Sequence, residues 1–299
     1  MNASVHLLED TLPSTVHLQV SVPEAHPSVP VLGAERAGTG TIVDDAGLIV
    51  TVNYVVLGAR KATVTTIEGQ THVADVVAHD FATGVAVLRA SRSEGVALPI
   101  RPADDVAIGE DVFIAASVGD ASRRAASGGV TAITAFDANW EYSLDPAIFT
   151  SAMNPGLGGG PLVDVQGRLL GIISLNLNEV GRFSLGIPIA CFRDHRDELL
   201  KFGRRKTRAS RAWLGLFCYT LSDHVVIAGL VPGAPGDVAG LKPGDILLGI
   251  DRRRIGTRRD FYGDLWSRPA GTSVSLEFYR KDEVCTLEVP SVDVEEFFA

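Results

Sequence analysis

Four glycines and two prolines fall within the ten residues Asn154-Pro155-Gly156-Leu157-Gly158-Gly159-Gly160-Pro161-Leu162-Val163. The run lies between an apolar segment ending at Met153 and the strand-like Gly167–Leu175. Glycine tolerates tight-turn dihedrals, so several backbone N–H groups here can face one hollow suited to an oxyanion or a phosphate. A phosphate loop needs a Lys-Ser/Thr pair after its last glycine, and none follows. Other polar groups that could do chemistry are His79 with Asp80, and Ser151 and Ser174, which flank the glycine run. Neighbours on a strand face opposite sides, so His79 and Asp80 share a site only across a bend. The remaining histidines, His6, His17, His26, His72, His195 and His224, show no paired metal-ligand spacing, and neither do Cys191, Cys218 and Cys285. No metal site and no cofactor are expected.

The elements that would position these groups are short and β-rich. Val16–Val22 alternates, Gly38–Val43 and Leu48–Val52 flank a turn, and further Val/Ile-rich runs sit at Lys61–Thr66, Val73–Ala78, Val85–Arg89, Val112–Ala116, Gly129–Ala135, Arg168–Ser174 and Phe183–Ile187. Close spacing of many short strands predicts an antiparallel barrel or sandwich. Pro23–Ala37 reads as a loop and Phe192–Phe202 as a helix. Lys201 to Arg211 carries six basic residues and reads as an exposed, solvated tether. Beyond it, a helix is expected around Arg259–Ser267 and strands at Val274–Tyr279 and Val284–Val289, ahead of an acidic, frayed tail.

A length of 299 residues fits about two domains. With 46% apolar and 21% charged residues the chain is globular in composition. Its net charge of −9 speaks against a nucleic-acid partner. Few, odd-numbered cysteines fit a reducing compartment. No signal-peptide pattern opens the sequence and no apolar run spans a membrane. The expectation is therefore a soluble cytoplasmic protein without a membrane span, or a periplasmic one if the start is mis-called.

The glycine-dense run resembles the nucleophile loop of HtrA/Deg trypsin-like serine proteases, Asn-Pro-Gly-Asn-Ser-Gly-Gly-Pro-Leu-Val. Two further stretches, Thr51-Val52-Asn53-Tyr54-Val55-Val56 and Thr83-Gly84-Val85-Ala86-Val87-Leu88, resemble that family's segments around its catalytic His and Asp. Serine-protease chemistry requires a hydroxyl nucleophile, an imidazole base and an orienting carboxylate. The matching positions here hold Gly158, Tyr54 and Gly84. A tyrosine, with its pKa of about 10, is protonated near neutrality. Residual acceleration without a triad is roughly 10³–10⁴ over water. Gly156, Leu157 and Gly158 would remain as a vestigial oxyanion loop.

Trp213-Leu214-Gly215-Leu216, followed by Gly240-Leu241-Lys242-Pro243-Gly244-Asp245-Ile246-Leu247, resembles a PDZ domain. That resemblance implies that an extended peptide adds as a strand while the Trp213–Leu216 loop captures its terminal carboxylate. Phe261 and Leu265, four apart on the expected helix, either line that groove or belong to the core. The implied layout is a chymotrypsin-like double β-barrel over residues 1–200, a basic linker over 201–211, and a small α+β PDZ domain over 212–299. The expected function is that of a pseudoprotease, not an enzyme, which binds peptides or protein C-termini as a scaffold or adaptor and joins homo- or hetero-oligomers with HtrA-like proteins. The alternatives are a serine-type endopeptidase or other hydrolase using displaced residues such as Ser151 and His79, or a regulatory subunit of an active HtrA paralogue.

Overall fold

A computed structural model describes residues 3–91, 95–102, 105–178 and 181–299. The chain divides into two compact units. The first comprises Met1–Pro23, Ala34–Phe136 and Leu144–Lys206; the second comprises Glu24–Gly33, Asp137–Ser143 and Thr207–Ala299.

The first unit holds two closed, six-stranded antiparallel barrels. One contains β1 (Thr15–Ser21), β2 (Glu35–Ile42), β3 (Leu48–Val52), β4 (Lys61–Thr65), β5 (Thr71–Asp80) and β6 (Val85–Ala90), in the order β1-β2-β3-β6-β5-β4. The other contains β7 (Asp111–Ser117), β8 (Arg123–Asp137), β9 (Ser143–Thr150), β10 (Pro161–Asp164), β11 (Leu169–Asn176) and β12 (Ser184–Pro188), in the order β10-β11-β12-β9-β8-β7. Closure removes free strand edges, and the aliphatic residues of β3, β6, β10 and β11 fill the interiors. Each fully buried Val, Ile or Leu contributes roughly 1.5–3 kcal/mol.

Strands β9 and β10 were not expected from the sequence, because Pro146 lies inside one and Pro161 opens the other. Proline is tolerated at the first residue of a strand, which accounts for Pro161. The single helix expected at Phe192–Phe202 is two pieces, Ala190–Arg193 and Arg196–Phe202, the second closed by Gly203 in the left-handed region.

The second unit is an antiparallel sheet of β13 (Leu216–Leu221), β14 (His224–Leu230), β15 (Ile246–Ile250), β17 (Ser273–Arg280) and β18 (Glu283–Pro290), with β16 (Arg253–Arg254) paired to β15. A helix at Arg258–Trp266 starts at a capping box in which Thr257 and Asp260 satisfy each other's backbone N–H. The basic run is not a solvated tether. Arg208 is buried between Asp293 (2.5 Å) and Glu295 (3.0 Å), and the Arg211 guanidinium lies 3.9 Å from the Trp266 ring centroid. In the first unit, Arg205 faces the buried Asp80 at 3.5 Å. The tail is not frayed either. Phe297 and Phe298 pack on Trp213, with ring centroids 5.0 and 5.7 Å away. Apolar packing of this kind overrides what a charge-rich sequence suggests.

Candidate functional site

The glycine run forms the turn between β9 and β10, and three strands clamp it. Thr39 on β2 donates its N–H to the Gly158 carbonyl (2.7 Å) and its hydroxyl to the Leu157 carbonyl (2.7 Å). The Leu157 N–H donates to Ser117 O on β7 (2.9 Å), and the Gly159 N–H to Ile173 O on β11 (2.7 Å). Gly159 adopts a φ of 100°, and a Cβ there would lie 2.0 Å from Thr39 O, so only glycine fits. Of the expected oxyanion donors, Leu157 is therefore consumed by the scaffold. The Gly156 N–H faces its neighbour Asn154 Oδ1 at 3.4 Å, and the Gly158 N–H has no acceptor among the described residues.

Tyr54 sits on the one-turn helix Asn53–Val56 and donates its hydroxyl to Ser174 O at 2.8 Å. A Cβ on Gly158 would come within 2.1 Å of that hydroxyl, so the phenol occupies the space of a side chain at 158. Burial pushes the Tyr54 hydroxyl up to about 12, which makes it a neutral donor and no base near pH 7. Gly84 has φ 78° and closes the turn after β5, accepting from the Asn53 N–H at 2.7 Å.

The displaced candidates do not assemble. His79 Nδ1 faces Asn53 Oδ1, while Asp80 accepts from Thr83 Oγ1 (2.7 Å) and the Ala82 N–H (3.0 Å). Ser151 Oγ accepts from the Gly129 N–H at 3.0 Å, and Ser174 contributes only its carbonyl, to Tyr54. A Ser-His-Asp arrangement does exist elsewhere in this unit. His17 on β1 places Nδ1 2.7 Å from Ser117 Oγ and Nε2 3.5 Å from Asp120 Oδ1. Ser117 is fully buried and its hydroxyl donates to Gly119 O at 2.9 Å. Burial, partly opposed by Asp120, lowers the His17 pKa. His17 and Ser117 are 100 residues apart, so no local motif announces them.

In the second unit, the Leu214 and Leu216 N–H groups donate to Glu141 Oε2 (3.0 Å) and Oε1 (2.6 Å), and the Gly215 N–H also bonds this carboxylate. Burial raises the Glu141 pKa to about 7 against the opposing pull of those donors and of Arg211. Trp213 pairs with Val292 across an isolated bridge. Phe261 and Leu265 are fully buried in the hydrophobic core of this unit. Among the described residues no cluster of three or more His, Cys, Asp or Glu could hold a metal, and no helix is long and apolar enough to cross a membrane.

With this geometry in hand, comparison with known proteins gives the class. Residues 38–172 match the trypsin-like peptidase domain and residues 197–290 match the PDZ domain. The chain is 29% identical over 262 residues, 82% of its length, to a probable periplasmic serine endoprotease DegP-like of Halomonas elongata, of which the match covers 54%. It is 28% identical to the serine protease Do-like HtrB of Bacillus subtilis, covering 81% of this chain and 58% of that one. The chain thus spans about half the length of the curated relatives it matches. Among solved structures it resembles the HtrA-type protease AlgW with decapeptide, at TM-score 0.57, 22% identity and coverage of 98% and 99%. The serine endoprotease from Yersinia pestis gives TM-score 0.56 at 20% identity, with 98% of each chain covered. These likenesses show the fold. The chain carries an HtrA/DegP-like trypsin-like serine protease domain together with a PDZ domain.

Two expectations are corrected by these findings. The relatives are named serine endoproteases, which points to an enzyme and overturns the non-enzyme expectation. A cytoplasmic location is not supported, because relatives such as those of Halomonas elongata and Hahella chejuensis are named periplasmic.

Proposed function

We propose that this chain is an HtrA-type protein that takes up extended peptides as a scaffold or adaptor, and that the family's serine route does not run through Tyr54, Gly84 and Gly158. Residues 1–200 form the protease-like part in this proposal, 201–211 the basic connector and 212–299 the peptide-binding part, working in the periplasm as the relatives' names suggest. The observation that carries it is the Tyr54 hydroxyl standing where a side chain at 158 would reach. The Gly158 N–H, without an acceptor among the described residues, suits a peptide carbonyl, and the Leu214–Leu216 donors suit a carboxylate. Calorimetric titration of the full chain with a pool of decapeptides bearing free C-termini, and with the same pool amidated, tests it. Binding by the free pool alone is expected; equal binding of both pools, or of neither, overturns it.

The second reading is hydrolysis by displaced residues, favoured by the endoprotease names and by the Ser117–His17–Asp120 geometry. Here His17 would take the Ser117 proton once the Ser117–Gly119 bond opens and exposes the hydroxyl. Casein turnover that disappears in Ser117→Ala supports this reading, and turnover unchanged in that variant removes it.

A further inference from the structure

The Asp137–Ser143 segment, which in sequence is the turn between β8 and β9, lies within the second unit and is anchored there along its length. The Asn139 carbonyl accepts from the Cys218 N–H on β13 at 2.7 Å. Arg258 donates to Asn139 Oδ1 (2.6 Å), and Arg259 pairs with Asp137 at 2.8 Å. Tyr262, buried on the same helix, accepts from the Glu141 N–H (2.8 Å) while its hydroxyl faces Ala138 O and Asn139 O, each at 2.9 Å. The order of these contacts sets a direction. Asn139 meets Cys218, and Glu141 meets Leu216 and Leu214, so the segment runs antiparallel to β13 and points its C-terminal end at the Trp213–Leu216 loop. An added peptide strand approaches such a loop in that same direction, ending in a carboxylate.

We infer that the peptide site of this unit is occupied in cis by residues 137–143, with the Glu141 side chain standing in for a peptide's C-terminal carboxylate, so that a C-terminal ligand binds only by displacing it. The inference rests on the peptide-binding reading above. Glu141 carries φ 40°, a left-handed conformation that a non-glycine residue keeps only where its surroundings hold it. The segment is thus held by the groove rather than by its own preference. An occupied groove lowers apparent affinity by the fraction of molecules that are open.

Hydrogen exchange and peptide titration on the full chain, wild type, Glu141→Ala and Tyr262→Phe, provide the test. Tyr262→Phe keeps the ring and removes only the hydroxyl anchor, so the test survives if Glu141→Ala fails to fold. The expected result is faster exchange at Leu214, Leu216 and Cys218 in both variants, with about tenfold or greater tightening for the pool of free-C-terminus decapeptides. Unchanged exchange and unchanged affinity in both variants overturn the inference. Faster exchange with no peptide bound by any form upholds cis occupancy and sinks the peptide-binding reading instead.

Discussion

Introducing a serine at position 158 should fail on sterics before it fails on chemistry. The new Cβ would lie 2.1 Å from the Tyr54 hydroxyl and 2.9 Å from Ser174 O, so the phenol must move and give up its 2.8 Å bond to that carbonyl. Overpacking costs about 1–3 kcal/mol, and leaving the half-buried Ser174 carbonyl unpaired adds about 1–2 kcal/mol. Gly158→Ser alone is therefore expected to destabilise by roughly 2–5 kcal/mol. Tyr54→Phe removes the nearer clashing atom and leaves Ser174 O 2.9 Å and the ring Cζ 3.3 Å from the new Cβ. In that background the serine should cost about 1–2 kcal/mol, since only the backbone contact with Ser174 O must still be relieved. Urea unfolding of the wild type, both single variants and the double variant gives the coupling directly. The double variant should be more stable than additivity allows by about 1–3 kcal/mol. Strictly additive losses would refute the claim that Tyr54 fills the place of a side chain at 158.

Three further outcomes follow from the same geometry. Glu141 has its pKa raised from 4.5 to about 7, facing the Leu214, Gly215 and Leu216 N–H groups, Arg211, the neutral Tyr262 hydroxyl and Cys218. Below the unfolded value both states hold the proton; between the two values only the folded state does, so stability falls as pH rises from about 4.5 to 7, by at most roughly 3 kcal/mol. Chemical unfolding across that range should show the slope, and Glu141→Gln should flatten it. Arg280 neutralises the buried Asp245 through bonds of 2.6 and 2.5 Å, so Arg280→Ala should lower the stability of the second unit by about 3 kcal/mol; a loss below about 1 kcal/mol in urea unfolding contradicts this. Gly84 at φ 78° predicts that Gly84→Ala costs about 1–2 kcal/mol and Gly84→Asn less, read from thermal unfolding.

Much of this was legible in the residues themselves. The alternation of Val16–Val22 and the apolar runs at Leu48–Val52 and Val85–Arg89 lie where β1, β3 and β6 form, because strand period and burial are local signals. The stretches around Tyr54, Gly84 and Gly158 stand out by motif, and the structure brings Tyr54 against Gly158. Two things were not legible. The Ser117–His17–Asp120 cluster joins distant strands, and only barrel closure brings them together. Glu141 sits in a turn whose sequence carries no ligand signal, and its role depends on three backbone donors that no side-chain identity reveals. The basic stretch ending at Arg211 misled for a related reason, since charge-rich segments look solvated until their acidic partners, here Asp293, Glu295 and Asp80, are located.

The central claim is peptide uptake without attack at the Gly158 loop. Titrating the full chain with the pool of free-C-terminus decapeptides, then analysing the recovered peptides by mass spectrometry for the wild type, Ser117→Ala and Tyr54→Phe, tests it most directly. Saturable binding that is lost on amidation is predicted, with any cleavage abolished by Ser117→Ala and unaltered by Tyr54→Phe. Absence of binding, or cleavage that survives Ser117→Ala and changes with Tyr54→Phe, would contradict it.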